Sequence, residues 1–546
     1  MQTKLSKFKF FPIAPFTFSR KSFSKMEPKK FTILHFNDVY EIQEDESPHS
    51  GILGGAARFN TLVHSHDHLN PLIFFSGDLW SPSKLSVLFE GKQCVEGINS
   101  LNISAACLGN HDLDFGEQAT IDLNAQCNFP WILTNVKSKK TGNTLANVKE
   151  YHTIDHAGLK FGILGIAEQE WIGTLGQFDA EDLVYEEYDQ CVSRWAKVLR
   201  NDHACDFIIA LTHMRTPQDK NLAHLSDDLD LILGGHDHAY FHKKCNENLI
   251  VKSGQDYQSL SVITVTVNYS PPNETVQTPQ TPQEAITDDN VVSDKIYWYS
   301  CKNGKYTMTV QKKDTTAKIE RNARLHEITM GYCQKLEDLK KMVLYKVTNN
   351  FDVLEKNMKF RSTTFGNFVC DLLRIEMCVH VVIFNAGGFR GGKYYDKGKV
   401  FTLGDLYGIF PFVTPICKIQ VTGSQLLELL ENSVSAWGSF SGKFGQLAGI
   451  RFKFDMEKPS GARVVHDTVE IRSRHSDWAV LDKKKVYTVA TTDYLAAGKD
   501  GYETFTKCPQ LIDSENGPDL VKILKDFFHI PLDPEHRKEF SILDVD

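Results

Sequence analysis

Several features common in chains of this size are missing here, and each absence closes off a class of protein. Nowhere in the 546 residues does an uninterrupted apolar run approach the length of a membrane-spanning helix, so no membrane anchor is expected. The twelve cysteines form no C-x-x-C pair. Most, like Cys94, Cys107 and Cys127, sit in apolar contexts and read as reduced core thiols. An excess of positive charge is missing too: the formal net charge is −8, which offers no general attraction to nucleic-acid polymers or anionic lipid. An anionic ligand must therefore be drawn by local charge. No internal repeat is visible, and residues 1–30 lack the apolar core and small-residue cleavage site of a secretory signal. That segment carries eight lysines and arginines from Lys4 to Lys30 against one acid, Glu27. It reads as a disordered basic tail on a cytoplasmic enzyme, with an organellar presequence or a true start at Met26 as alternatives.

What the chain does have is five apolar runs, each followed at once by a polar cluster. Phe31–Phe36 precedes Asn37-Asp38, Leu72–Phe75 precedes Ser76-Gly77-Asp78, and Ile103–Leu108 precedes Gly109-Asn110-His111-Asp112. Phe207–Leu211 precedes Thr212-His213, and Leu231–Leu233 precedes Gly234-Gly235-His236-Asp237-His238. Short apolar runs of this kind fit strands buried on both faces, and such sheets take their ligands beyond the carboxyl ends of the strands. Oxygen and imidazole donors without thiolate suit Zn, Mn, Fe or Co, and two adjacent cations need a shared anionic ligand. Asp78 is the candidate for that bridge. Glycines at 77, 109, 234 and 235 let the backbone turn beside the ions. Singly, each cluster is an ordinary turn or a satisfied histidine; in this order, all at strand ends, they form a two-metal site.

These segments, with Leu34–Asp38 and the continuation Leu113-Asp114-Phe115-Gly116, resemble the calcineurin-like metallophosphoesterase domain of the 5′-nucleotidase and UDP-sugar hydrolase family. The resemblance implies two divalent ions, Zn, Mn, Fe, Co or Mg. One would be held by Asp38, Asp78 and His238, the other by Asp78, Asn110, His213 and His236. It also implies that His111, steadied by Asp114, assists the leaving group. One position departs: the family usually reads Asp-x-His in the first loop, and this chain reads Asp38-Val39-Tyr40. Residues i and i+2 of an extended segment share a face, so Tyr40 can still point at the first ion. Three outcomes are open: the phenol binds the metal, water or another residue fills the gap, or the first site is weak.

The expected fold is α/β. A four-layer metallophosphoesterase sandwich spans 31–315, a linker helix 316–345, and a second, α+β substrate-binding domain 346–546. A polar insert at Pro271–Asn290 reads as a solvated loop. Helices are expected at Glu181–Arg200, Asn367–Arg374 and Gln425–Val434, and strands at Val381–Phe384 and Lys485–Ala490. Phe360-Arg361, Asn385 to Arg390, Phe410-Pro411-Phe412 and Gly498-Lys499-Asp500-Gly501-Tyr502 are similar to the C-terminal domain of 5′-nucleotidases. By that resemblance Arg361, Asn385 and Arg390 grip phosphate and ribose, while Phe412 and Tyr502 clamp the base. Guanidinium forks suit phosphate, and flat bases stack on aromatic rings. The function so implied is hydrolysis of nucleotide phosphoesters. The alternatives are sugar phosphates or phosphoglycerate derivatives, UDP-sugars or cyclic nucleotides on the same scaffold, or a nucleotide-binding protein that has lost its first metal.

Overall fold

A computed structural model describes residues 28–47, 51–169, 171–175, 180–269, 282, 284–390, 392–439, 441–472 and 477–529. Most of the expected basic tail lies outside the described residues, but Lys29 and Lys30 already belong to the first strand, Lys29–Phe36. Much of the polar insert lies outside them as well. Its end is a correction to the loop reading, because Ile286–Thr287 pairs antiparallel with Tyr240–Cys245 as an edge strand.

The apolar runs fold into two seven-stranded sheets. Along the first the order is Ile296–Cys301, Tyr306–Asp314, Ser259–Val267, Lys29–Phe36, Leu72–Phe75, Ala105–Cys107 and Trp131–Ile132, the last four parallel. Along the second it is Ile286–Thr287, Tyr240–Cys245, Asn248–Ser253, Leu231–Gly234, Phe207–His213, Leu159–Ala167 and Tyr151–His156, the middle four from Asn248–Ser253 to Leu159–Ala167 parallel. Alternate side chains explain why the runs are apolar throughout. Phe31, Ile33 and Phe74 face Phe161, Ile163 and Phe207 of the opposing sheet. Leu34, Phe36 and Ile73 face the other way, onto Phe59 and Val63 of helix Ala56–His64. On the far side Ile208, Ala210 and Ile232 pack on Cys191 and Leu199 of helix Tyr188–Asn201 and on Leu222 of helix Thr216–Leu225. Helix, sheet, sheet and helix make four layers. The helix expected from Glu181 starts only at Tyr188, because Leu183–Tyr185 is taken up in pairing with Val136–Ser138.

Helix Ala323–Leu339 follows, with the Asn322 side chain accepting the Leu325 N–H as its cap. Beyond it lie a five-stranded sheet, ordered Gly445–Ala448, Val381–Asn385, Val486–Thr492, Ile416–Thr422 and Gln510–Ile512, and a three-stranded one from Ile450–Phe454 through Val464–Arg472 to Trp478–Val480. Helix Gly423–Ser435 begins with a reciprocal Thr422/Gln425 capping box, and helix Thr364–Glu376 with Thr363 accepting from the Gly366 N–H. One apolar cluster runs through both halves, from Phe36 and Trp80 to Phe365, Leu373 and Phe410.

Candidate metal centre

Strand register brings the polar clusters to one level. Phe36 pairs with Phe75 and Phe75 with Ala106, while in the other sheet Thr212 lies opposite Gly234. Asp38, Asp78 and Asn110 from the first sheet therefore meet His213, His236 and His238 from the second. Asp38, Asp78, His236 and His238 adopt φ of +54°, +66°, +82° and +55°. Such left-handed conformations cost a non-glycine residue of order 1–3 kcal/mol and persist where surrounding structure holds them. The Asp112 carboxylate does much of the holding, accepting the N–H groups of Asp78 at 3.0 Å, Leu79 at 2.8 Å and Gly109 at 2.8 Å. Gly77, at φ +82°, has the Gly109 backbone against it, and a Cβ on Gly109 would collide with the Asp78 carboxylate. A side chain at either position would push the two loops apart.

Whether these donors fit a cation can be read from their unused lone pairs. His213 Nδ1 donates to the Ser76 carbonyl at 2.7 Å, which in the neutral ring leaves Nε2 bare, 3.0 Å from Asp78 Oδ2. Two lone pairs facing each other in a buried site require a positive charge. Both ring nitrogens of His236 and the Asn110 Oδ1 are also buried without a hydrogen-bond partner, a cost of about 1–3 kcal/mol for each polar group so orphaned. Donor atoms of Asp78, His213 and His236 lie within 4.8 Å of one another. The same facing lone pairs favour a proton. Burial pulls the His213 imidazolium down, but Asp78 and Asp38 outweigh it and hold the pKa up to about 9. Burial and the neighbouring His213 drive His236 well below its ordinary value. For Asp38, burial works upward and is overcome by His213 and His238, which bring the carboxyl below the usual range. These residues fit a metal.

A second set of donors surrounds Tyr40. Its hydroxyl is 2.7 Å from His238 Nε2, 2.8 Å from Asp78 Oδ2 and 3.2 Å from Asp38 Oδ1. Beside it, His111 Nδ1 lies 3.0 Å from Asp114 Oδ2, and Nε2 is hydrogen-bonded to the backbone carbonyl of Glu515. Both partners can only accept, so the ring carries two protons. Burial lowers the His111 pKa, but Asp114 prevails and raises it to about 10.

Four functional positions escaped the sequence reading. Glu515 comes from the second domain and closes one side of the centre, its carboxylate 3.1 Å from His238 Nδ1; nothing in its local sequence marks it. Glu168 is buried with Oε1 3.7 Å from His236 Nε2, and the Arg215 Nε donates to it at 2.9 Å. Lys252, in strand Asn248–Ser253, bonds the Met214 and Gly235 carbonyls at 2.6 and 2.9 Å and pairs with Asp219 and Asp237, tying together the loops that carry His213 and His236. The fourth is Tyr494.

Tyr494 appears in a cavity of about 470 Å³ in the second domain, lined by Asn385, Gly388, Arg390, Phe412, Tyr494 and Asp500 among others. Phe412 and Tyr494 are 64% and 48% exposed. The Arg390 guanidinium lies 6.0 Å over the Phe412 ring, and Asp500 accepts from Asn385 Nδ2 at 2.9 Å and the Tyr494 hydroxyl at 3.2 Å. One expectation is corrected. Tyr502 is fully buried, stacked on Phe505 with centroids 6.0 Å apart, and donates to the Lys443 carbonyl at 2.8 Å, so it is core rather than clamp. Arg361 is outside the cavity lining and pairs with Asp352 at 3.2 Å.

A double sandwich with a buried carboxylate and imidazole centre at its strand ends defines a metallophosphoesterase, and residues 31–240 match the family model described as calcineurin-like phosphoesterase. Residues 343–507 match the model described as the 5′-nucleotidase C-terminal domain. With both domains in one chain, the protein belongs to the 5′-nucleotidase family. It is similar to the 5′-nucleotidase of Bos taurus, 25% identical over 520 residues that cover 87% of this chain and 84% of that one. It is 24% identical over 531 residues to the trifunctional nucleotide phosphoesterase protein YfkN of Bacillus subtilis, covering 90% of this chain and 33% of that protein, so it spans about a third of that relative. The solved Haemophilus influenzae NAD nucleotidase (NadN) shares the fold with a TM-score of 0.71 at 19% identity, covering 92% of this chain and 96% of that one.

Proposed function

We propose that the chain releases phosphate from nucleotides, using two divalent ions drawn from Zn, Mn, Fe, Co and Mg. Asp38, Asp78 and His238 would hold one ion, and Asp78, Asn110, His213 and His236 the other. The observation that carries this reading is the set of buried, mutually facing lone pairs on Asp78, His213, His236 and Asn110, which only positive charge reconciles. When bound, the cations acidify water and offset the charge that grows on the phosphoryl oxygens.

The remaining work falls to the chain itself. His111, doubly protonated and oriented by Asp114, hands a proton to the departing ribose oxygen. Asp112 keeps the loops of Asp78 and Asn110 together. In the second domain Phe412 and Tyr494 stack on the base, Asp500 and Asn385 offer hydrogen bonds to ribose hydroxyls, and Arg390 attracts phosphate. None of the residues lining this cavity belongs to the metal centre, and Glu515 rests on His238 and His111. A nucleotide therefore bridges the two sites only after the second domain shifts against the first, near helix Ala323–Leu339.

A malachite-green screen tests the proposal, with mono-, di- and cyclic nucleotides, UDP-glucose and sugar phosphates as substrates and Mn, Zn, Mg and Co added in turn. Phosphate release from nucleotides that stops in Asp78→Asn is expected. No release from any nucleotide with any metal would end it.

A further inference from the structure

The second domain contains another cavity, about 330 Å³ in volume, which shares no lining residue with the one that holds Phe412 and Tyr494. Its size falls within the range of small-molecule sites. It lies between helix Thr364–Glu376, the edge strand Gly445–Ala448 and the three-stranded sheet. The helix contributes Asn367 and Asp371, one turn apart and therefore on one face. Asp371 is half-buried. Burial pushes its pKa up while Arg374 and Arg472 act through space to lower it, and its carboxylate has no hydrogen-bond or ion-pair partner among the described residues. Arg374 stands behind the cavity wall: a Cβ on Gly449, which lines the cavity, would meet its δ-carbon at 2.8 Å. The Arg374 Nε is buried and also without a partner. Arg472 lines the cavity itself.

A carboxylate only accepts and a guanidinium only donates, so a partner for both must offer N–H donors beside an acceptor. Much of the remaining wall is aromatic, with Phe444, Phe452 and Trp478. Arg451 lies over the Trp478 ring at 4.3 Å and is held there by Glu470 at 2.6 Å. Such a wall takes a flat ring. Guanine meets all of these demands, because its N1–H and 2-amino group pair side by side with a carboxylate while O6 accepts from a guanidinium. Adenine would turn the N1 lone pair towards Asp371. We infer that this cavity is a second ligand site, built for a guanine base, with Asp371 reading the N1–H and 2-amino edge and Arg472 the O6. Phe412 and Tyr494, in the function proposed above, stack on any base, so selectivity separates the two cavities. Two sources carry the guanine edge, the nucleoside and its 5′-phosphate.

Isothermal titration of the full-length protein with guanosine, inosine and adenosine tests this, since none of the three has a phosphate to lose. Two guanosines per chain are expected against one adenosine. Inosine lacks the 2-amino group and should bind the second site weaker than guanosine by about tenfold or more. Asp371→Asn removes a charge that has no partner, so Tm should not fall. In that variant guanosine should drop to one per chain and adenosine stay as it was. In a Phe412→Ala, Tyr494→Ala double variant one guanosine should remain and adenosine binding should vanish. A GMP analogue with CH2 in place of the bridging oxygen resists hydrolysis. Tighter binding of this analogue than of guanosine to the double variant assigns the site to the nucleotide, and equal or weaker binding assigns it to the nucleoside. No guanosine bound by the double variant, adenosine bound as tightly as guanosine at the second site, or guanosine binding that Asp371→Asn leaves unchanged would overturn the guanine site and leave the hydrolase reading standing. Adenosine that remains on the double variant but not at the Asp371 cavity would count against the base stack of the proposed function and leave the guanine site standing.

Discussion

Tyr494 and Tyr502 sit in one short stretch of sequence, yet the structure gives them opposite work, and truncating each should reveal it. Tyr494 and Phe412 are 48% and 64% exposed, so alanine at either position exposes little new apolar surface and stability should change by within about 0.5 kcal/mol, as for surface sites generally. Stacking on an aromatic ring is worth about 1–3 kcal/mol per base, so each alanine should lower kcat/KM for a nucleoside monophosphate by roughly 5- to 150-fold. p-Nitrophenyl phosphate has no base to stack and should be hydrolysed almost unchanged. Tyr502 is 0% exposed and gives its hydroxyl proton to the Lys443 carbonyl. Its alanine variant should lose about 3–5 kcal/mol, as large aromatic truncations in cores do. At roughly 2–4 °C per kcal/mol, that is a fall in Tm of about 6–20 °C. Steady-state kinetics on both substrates, paired with calorimetry, separate the cases. The reasoning fails if Tyr494→Ala leaves the ratio of nucleotide to p-nitrophenyl phosphate activity unchanged, or if Tyr502→Ala alters that ratio at constant Tm.

Other perturbations probe the centre. Asp78→Asn should abolish turnover and leave fewer than two bound metals by elemental analysis, and chelation of the wild type should do the same reversibly. Lys252→Met strands the buried Asp219 carboxylate, whose ion pair with Lys252 is 2.9 Å long, and breaking such a pair should cost about 3–5 kcal/mol in thermal unfolding. Adding Asp219→Asn, which removes the stranded charge, should recover part of the loss; no recovery would argue against the pair. His111 donates a proton only below its pKa, which Asp114 raises against burial. Bound cations pull that value down, and Asp114→Asn should pull it further, so the alkaline limb of the pH–rate profile moves to lower pH. The shift should be clear with nucleotides and small with p-nitrophenyl phosphate, whose leaving group needs no proton.

Local features were legible because local forces set them. Leu72–Phe75 was read with its observed boundaries, and Phe31–Phe36 and Phe207–Leu211 lie within Lys29–Phe36 and Phe207–His213. A strand buried on both faces leaves its mark on every residue. Helices Thr364–Glu376 and Gly423–Ser435 contain the predicted segments, since amphipathic spacing and capping residues act within a few positions. Where a partner distant in sequence decides, local pattern misleads. The pattern from Glu181 suggests helix, and nothing nearby reveals that Leu183–Tyr185 pairs with Val136–Ser138. The family resemblance puts Tyr502 at the base clamp, and an aromatic in a glycine-rich loop looks exposed until Phe505 and Lys443 are seen to enclose it.

The residue types and their places at strand ends, and hence the kind of chemistry on offer, follow from the order of amino acids alone, because apolar patterning and turn preference act over a few residues. That Asp38, Asp78 and Asn110 of one sheet meet His213, His236 and His238 of another is a tertiary matter. So are the Tyr40 hydroxyl between Asp38, Asp78 and His238, and the Glu515 contact from the second domain. Packing of two twisted sheets against each other sets those distances, and no stretch of chain shorter than the whole sandwich contains the information.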